Sequence, residues 1–265
     1  MPPLPALSDW EGTRTALHQA LQTLRSTRLL GVDPLPNSLE YGTIPTSYGA
    51  TTGPMKFGGE LQLDFGRGAV IYRRDGVELF NVPLAGHNQT SLFDTVFAEF
   101  RKAGHHFQPN RSKITNTTPF NFNPEAGKTF TNVMWRMYTA LARFRGRALG
   151  WQSPITLWPH GFDLSFLWFP GGVEETKDPH LNFGFSPFTP DVGQPYVYFY
   201  AYPVVSGLDQ TIPAPMRWHT AWATPGGVLE YERFAGAGDP EALVEDLLLC
   251  VYQEASARMK ESAGN

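Results

Sequence analysis

From Trp158 to Phe169 the chain reads Trp-Pro-His-Gly-Phe-Asp-Leu-Ser-Phe-Leu-Trp-Phe. Period-two alternation sends Phe162, Leu164, Phe166 and Trp168 to one face of a long, very apolar strand. Asp163, Ser165, Leu167 and Phe169 go to the other. An acid among large apolar side chains is costly to bury unless something pairs with it. His160 stands three residues before that acid, at the mouth of the strand. A site is one reason for a chain to accept such a cost.

The rest of the chain can supply the core this strand needs. Its 265 residues suffice for one large domain or two small ones, and 42 % of them are hydrophobic. Charged residues make up only 17 %, which argues against disorder. A net charge of -4 gives no basic footprint for nucleic acid. Cys250 is the only cysteine, so an intrachain disulfide and cysteine-based metal sites are excluded. It shares a helical stripe with Leu247 and Val251 and reads as core. No apolar run approaches the roughly 20 residues that span a bilayer, and Met1-Pro2-Pro3-Leu4-Pro5 has no leader character. The expectation is a soluble cytoplasmic protein.

Element signals alternate in blocks. Ser8-Asp9-Trp10-Glu11 fits a capping box, and Leu17, Leu21 and Leu24 predict a helix over 9–27, with His18 beside the apolar stripe. Strands are expected at 38–44, 49–55, 60–65, 69–73 and 77–82, with Gly66-Arg67-Gly68 and Asp75-Gly76 as hairpin turns. A helix over 90–102 follows. His105 and His106 are adjacent, so on a strand they point to opposite faces and cannot simply chelate one ion. Residues 110–123 form an Asn-rich connector. Asn123-Pro124-Glu125 then opens a helix reaching about Arg147; Arg136, Arg143, Arg145 and Arg147 on it read as a solvated face. Strands are expected at 155–157, 162–169, 196–202, 217–223 and 228–234. Asp239-Pro240-Glu241 opens a last helix to about Met259. The reading is an α+β fold in one domain, built of two similar halves, about 8–104 and 123–260. Each half runs helix, antiparallel strands, helix; two sheets share a core with helices outside.

Chemistry concentrates in the second half. Tyr196, Tyr198, Tyr200 and Tyr202 fall on one strand face, an amphipathic wall with hydroxyls at its rim. Around Met216–Trp222, alternation puts Trp218, Thr220 and Trp222 on one face and Arg217 and His219 on the other. Residues 171–194 read as a long loop carrying Asp178, His180 and several aromatics, of the kind that serves as a lid or binding loop. Two histidines and a carboxylate, His160, Asp163 and His219, could hold Zn, Fe or Mn with positions left open. Without a metal, His160 oriented by Asp163 could act as a general base. The blander alternative is Asp163 accepting hydrogen bonds from His219 or a tyrosine in a buried polar network. No nucleophile elbow, dinucleotide fingerprint or P-loop is present.

Arg143-x-Arg145-Gly146-Arg147, Ser153-Pro154, Trp158-Pro159-His160-x-Phe162-Asp163-Leu164, Ala50-Thr51-Thr52-Gly53-Pro54 and Trp218-His219-Thr220 together resemble a bacterial family of unknown function with a Trp-Pro-His-x-Phe-Asp signature. The resemblance runs over most of the chain. Similar proteins often carry a second histidine where Gly161 stands and another where Arg217 stands, so two potential ligands are missing here. The resemblance implies that His160, Asp163 and His219 belong to the signature and carries over no activity. The leading expectation is therefore a small-molecule-binding protein with an aromatic-lined pocket. Trp158, Tyr196, Tyr198, Tyr200, Trp218 and His180 are its expected walls, and His160 and Asp163 its polar end, with His219 opposite. A metal-dependent hydrolase or oxygenase using His160, Asp163 and His219 is the alternative. A third reading is an interaction or homodimerising module using the aromatic 171–194 loop. Neither nucleic acid nor membrane is an expected partner.

Overall fold

Helix ends follow the local signals closely, with one exception. In the computed structural model, which describes residues 2–263, α1 (Glu11–Gly31) starts after Trp10 with no side-chain cap. Asp9 takes φ 50°, which turns Ser8 away from capping geometry, so the expected box does not form. Asn88 caps α2 (Gln89–Lys102) through a reciprocal pair of bonds with Ser91. Asn123 Oδ1 accepts the Glu125 N–H at 2.9 Å and opens α3 (Pro124–Arg147). Asp239 Oδ1 likewise accepts from Ala242 at 3.1 Å ahead of α4 (Pro240–Ala263). Among the described residues no helix is long and apolar enough to cross a membrane.

The fold is α+β, with two antiparallel sheets. A five-stranded meander comprises β1 (Ile44–Thr46), β2 (Gly49–Thr51), β3 (Glu60–Asp64), β4 (Ala69–Arg74) and β5 (Val77–Pro83). Asp75 and Gly76, both at positive φ, make the β4–β5 turn. The strand expected over 38–44 is instead a 3-10 turn, Pro36–Tyr41. Asn37 and Ser38 there adopt left-handed backbone near φ 55°, which no strand accommodates. The second sheet has seven strands: β6 (Trp151–Gln152), β7 (Thr156–Trp158), β8 (Asp163–Phe169), β9 (His180–Ser186), β10 (Tyr196–Tyr202), β11 (Arg217–His219) and β12 (Gly226–Glu230). Their order is β11-β12-β10-β9-β8-β6, with β7 also against β8.

Two compact units result, one formed by Leu7–Trp135 with Leu157–Phe162, the other by the remaining stretches. In the first unit, Leu17, Leu21 and Leu24 of α1 and Phe93, Phe97 and Phe100 of α2 are buried with Leu61, Leu63 and Tyr72 of the meander. His105 belongs to this core margin. Its ring stacks on Phe107, and its Nε2 must accept the Arg74 N–H at 2.9 Å, because a guanidinium has no lone pair to offer. Burial, helped by the Arg74 and His106 charges, holds its pKa below the ordinary value. The folded state therefore binds the proton less readily than the unfolded chain. Stability should fall as pH drops below about 6.5, the unfolded histidine value, until the lowered folded pKa is passed. His105→Phe should flatten that part of a urea-midpoint profile between about pH 7 and pH 5.

In the second unit the expected long loop contains β9, which is buried along its whole length and pairs with both β8 and β10. Its aromatics Phe183 and Phe185 are core residues rather than an exposed lid. Leu164, Phe166 and Trp168 of β8 share the apolar face with Leu181, Phe183, Val197 and Phe199. Helices cover that face: Phe144 of α3 meets Phe183 at 4.8 Å, and Tyr252 of α4 meets Trp168 at 5.1 Å. Arg136 is not on a solvated face, since it pairs with the fully buried Glu241 of α4. Cys250 is exposed, not core.

Candidate functional site

The other face of the second sheet is where polar chemistry gathers. Register places Asp163 and Ser165 of β8, Asn182 and Gly184 of β9, the tyrosines of β10, Val228 of β12 and His219 of β11 on this one face. Tyr196, Tyr198 and Tyr200 together with Trp222, Ala223 and Thr224 line a cavity of about 320 Å³. Trp222 stacks on Tyr196 at 5.8 Å and stands at 78° to Tyr198, so the rings make a wall with a corner. Each phenol is held by a neighbour. Tyr198 donates to Asp163 Oδ2 at 2.6 Å, Asn182 donates to Tyr200 at 2.7 Å, and Thr189 donates to Tyr196 at 3.1 Å.

Burial raises the pKa of all three tyrosines, and for Tyr198 the charge of Asp163 adds to it and pushes the phenol well above its usual range. The wall thus stays neutral, and Tyr198 keeps its proton to donate. This is the buried polar network expected as the alternative for Asp163, with a tyrosine as its partner.

His219 is buried beside this wall, its ring 4.6 Å from that of Trp222. Arg217 Nη1 donates to its Nδ1 at 3.1 Å, which makes Nδ1 an acceptor and leaves the ring proton on Nε2. That proton points at Asp191 Oδ2, 2.5 Å away. Burial opposes ionisation of Asp191, but bonds from Thr189, His219 and Trp222 outweigh it and hold the carboxyl below the usual range. Both His219 nitrogens are committed, so neither offers a free lone pair to a metal or to a substrate proton.

The remaining expected residues separate. His160 and Trp158 lie in the first unit, where their rings touch at 5.7 Å, and neither lines the tyrosine cavity. His160 is exposed on a turn closed by the Phe162 N–H to Trp158 carbonyl bond, with Phe162 itself at φ 59°. Trp218 alternates to the apolar face and meets Phe199 at 6.2 Å, so it is not a wall of the cavity. His180 is buried at the end of β9, bonded to the Asp178 carbonyl and stacked on Tyr202, outside the cavity lining. Among the described residues no three of His, Cys, Asp and Glu come together as metal ligands. His160, Asp163 and His219 each have their own surroundings instead.

Asp191 and Gly184 belong to the site and carry no signal in the sequence; Asp191 lies in a turn between strands. Trp222 is expected on the Trp218 face of a strand over 217–223, but β11 ends at His219 and Trp222 packs instead against the tyrosines and His219.

A family model described as a family of unknown function (DUF5996) matches residues 1–262. No curated protein and no solved structure gives a match.

Proposed function

The chain belongs to the DUF5996 family of unknown function, and from that premise we propose that it binds a small, partly apolar molecule on the tyrosine wall of its second sheet. The observation that carries this reading is the cavity lined by three tyrosines and Trp222, with the Asp163 carboxyl bonded to Tyr198. Aromatic faces supply contact area with little rotamer entropy to lose, and a few fixed polar groups orient what they hold. The ligand's apolar body lies against the rings. A donor group on it is directed to Asp163, whose Oδ2 accepts the Tyr198 phenol, while Asp191 is taken up by the His219 ring nitrogen. The Asp191–His219 pair positions Trp222 and so acts on the wall rather than on the ligand's chemistry.

Trp222 is only half-buried, so its truncation leaves the sheet intact. In a thermal-shift screen of polar and aromatic metabolites, ligands of the wall should stabilise the wild type and lose at least tenfold in affinity with Trp222→Ala. Tyr198→Ala should lose as much, since it removes a ring and frees the Asp163 carboxyl. If every compound that stabilises the wild type stabilises Trp222→Ala equally, binding lies elsewhere and this reading fails.

A further inference from the structure

The first unit holds a second cleft, of about 400 Å³, where four distant segments meet: α1, the start of α2, the Asn-rich connector and the turn after β7. Three of its side chains are spent on building it. His18 Nε2 and Gln22 Nε2 both donate to the Pro159 carbonyl, which fixes the turn that presents His160. The buried Gln89 clamps the connector, donating to the Lys113 carbonyl at 3.0 Å and accepting the N–H groups of Thr115 and Asn116. Those bonds deliver Lys113 and His160 to the rim of a cleft that Arg25 lines from α1.

The charge in this cleft is uncompensated. No residue lining it is a carboxylate, and neither Arg25 nor Lys113 forms an ion pair with a described residue. Arg25 leans on the Tyr41 ring at 4.9 Å, a contact that orients the guanidinium without neutralising it. Two permanent cations and an exposed imidazole thus converge in a chain whose net charge is -4. We propose that this cleft binds the oxyanion group, phosphate or polycarboxylate, of a small polar molecule, held by Arg25, Lys113 and His160. A guanidinium supplies a planar fork for two oxygens and the ammonium a mobile point charge, which together suit a multivalent anion. This site is independent of the tyrosine wall.

The test is isothermal titration of the full chain at low ionic strength with inorganic pyrophosphate and with citrate, so that the two anion chemistries are separated. Lys113 is exposed, so Lys113→Gln leaves the fold alone; Arg25→Gln is the second variant. Each should weaken binding of the preferred anion about tenfold, the loss of one charge-assisted contact. Lys102→Gln, which removes one exposed positive charge from α2 outside the cleft, should change nothing, and neither should Trp222→Ala. Preference for one anion over the other names the chemistry of the natural ligand. No binding of either by the wild type, or equal loss in Lys102→Gln, overturns the proposal.

Discussion

Arg136→Met should cost about 3–5 kcal/mol of stability, the expected penalty for stranding a buried carboxylate. The Glu241 side chain is 0 % exposed and that of Arg136 only 13 %. The guanidinium meets the carboxylate with two parallel bonds, Nε to Oε1 and Nη2 to Oε2. Its remaining donors reach the carbonyls of Pro2 and Pro3, so the same side chain ties the N-terminal segment to α3. That segment is held further by the Leu4 N–H to Ala235 and by the Tyr231 hydroxyl to Pro5. Truncating Arg136 therefore removes a counter-ion and a tether together. The double variant Arg136→Met/Glu241→Met separates them. If the unpaired charge dominates, chemical denaturation should show the double recovering most of the loss. A double as unstable as the single would assign the effect to the tether instead.

What could be read from the sequence was what is decided locally. Asn123, Asp239 and the Asp75-Gly76 turn act within four residues of themselves, and the structure keeps all of them. The alternation of Tyr196–Tyr202 and of Asp163–Phe169 also survives, because each strand has one face against helices and one face polar. β9 was missed although it alternates too, with Leu181, Phe183 and Phe185 on one face and His180, Asn182, Gly184 and Ser186 on the other. Its polar residues and its glycine, in a stretch rich in proline and glycine, read as loop, while the fold buries both of its faces. A structureless stretch as long as 171–194 is itself a reason to doubt the reading of a loop. The site was legible as a list of residue types but not as an arrangement. β10 lies between β9 and β12, and β11 beyond β12, so Asp191 reaches His219 through an order of strands that no spacing encodes. His160 and Asp163 are three apart in the chain, yet one presents itself on a turn of the first unit and the other bonds Tyr198 in the second.

Gly184→Ala should be nearly as damaging as the loss of Arg136, about 3 kcal/mol, and should also abolish binding at the wall. Gly184 sits in register between Ser165 and Tyr198. A Cβ built there would lie 2.5 Å from Leu164 O and 2.5 Å from Tyr198 Cζ. The backbone at this position is not left-handed, so what the site requires of the glycine is space alone. The phenol ring arches across that space from β10 to reach Asp163 on β8, two strands away. A methyl group has to lift the ring, which breaks the 2.6 Å bond to Asp163 and tilts the face presented to Trp222, or else part the strands. Gly236→Ala, with nothing within 4 Å of its Cβ, should stay within about 0.5 kcal/mol of the wild type. In a Tyr198→Ala background the Gly184→Ala change should cost clearly less, because the ring contact is gone and the Leu164 carbonyl contact is left. Equal cost in both backgrounds would mean that the glycine serves the β8–β9 pairing and not the tyrosine, and the wall would then be an accident of alternation rather than a surface the sheet is shaped to hold.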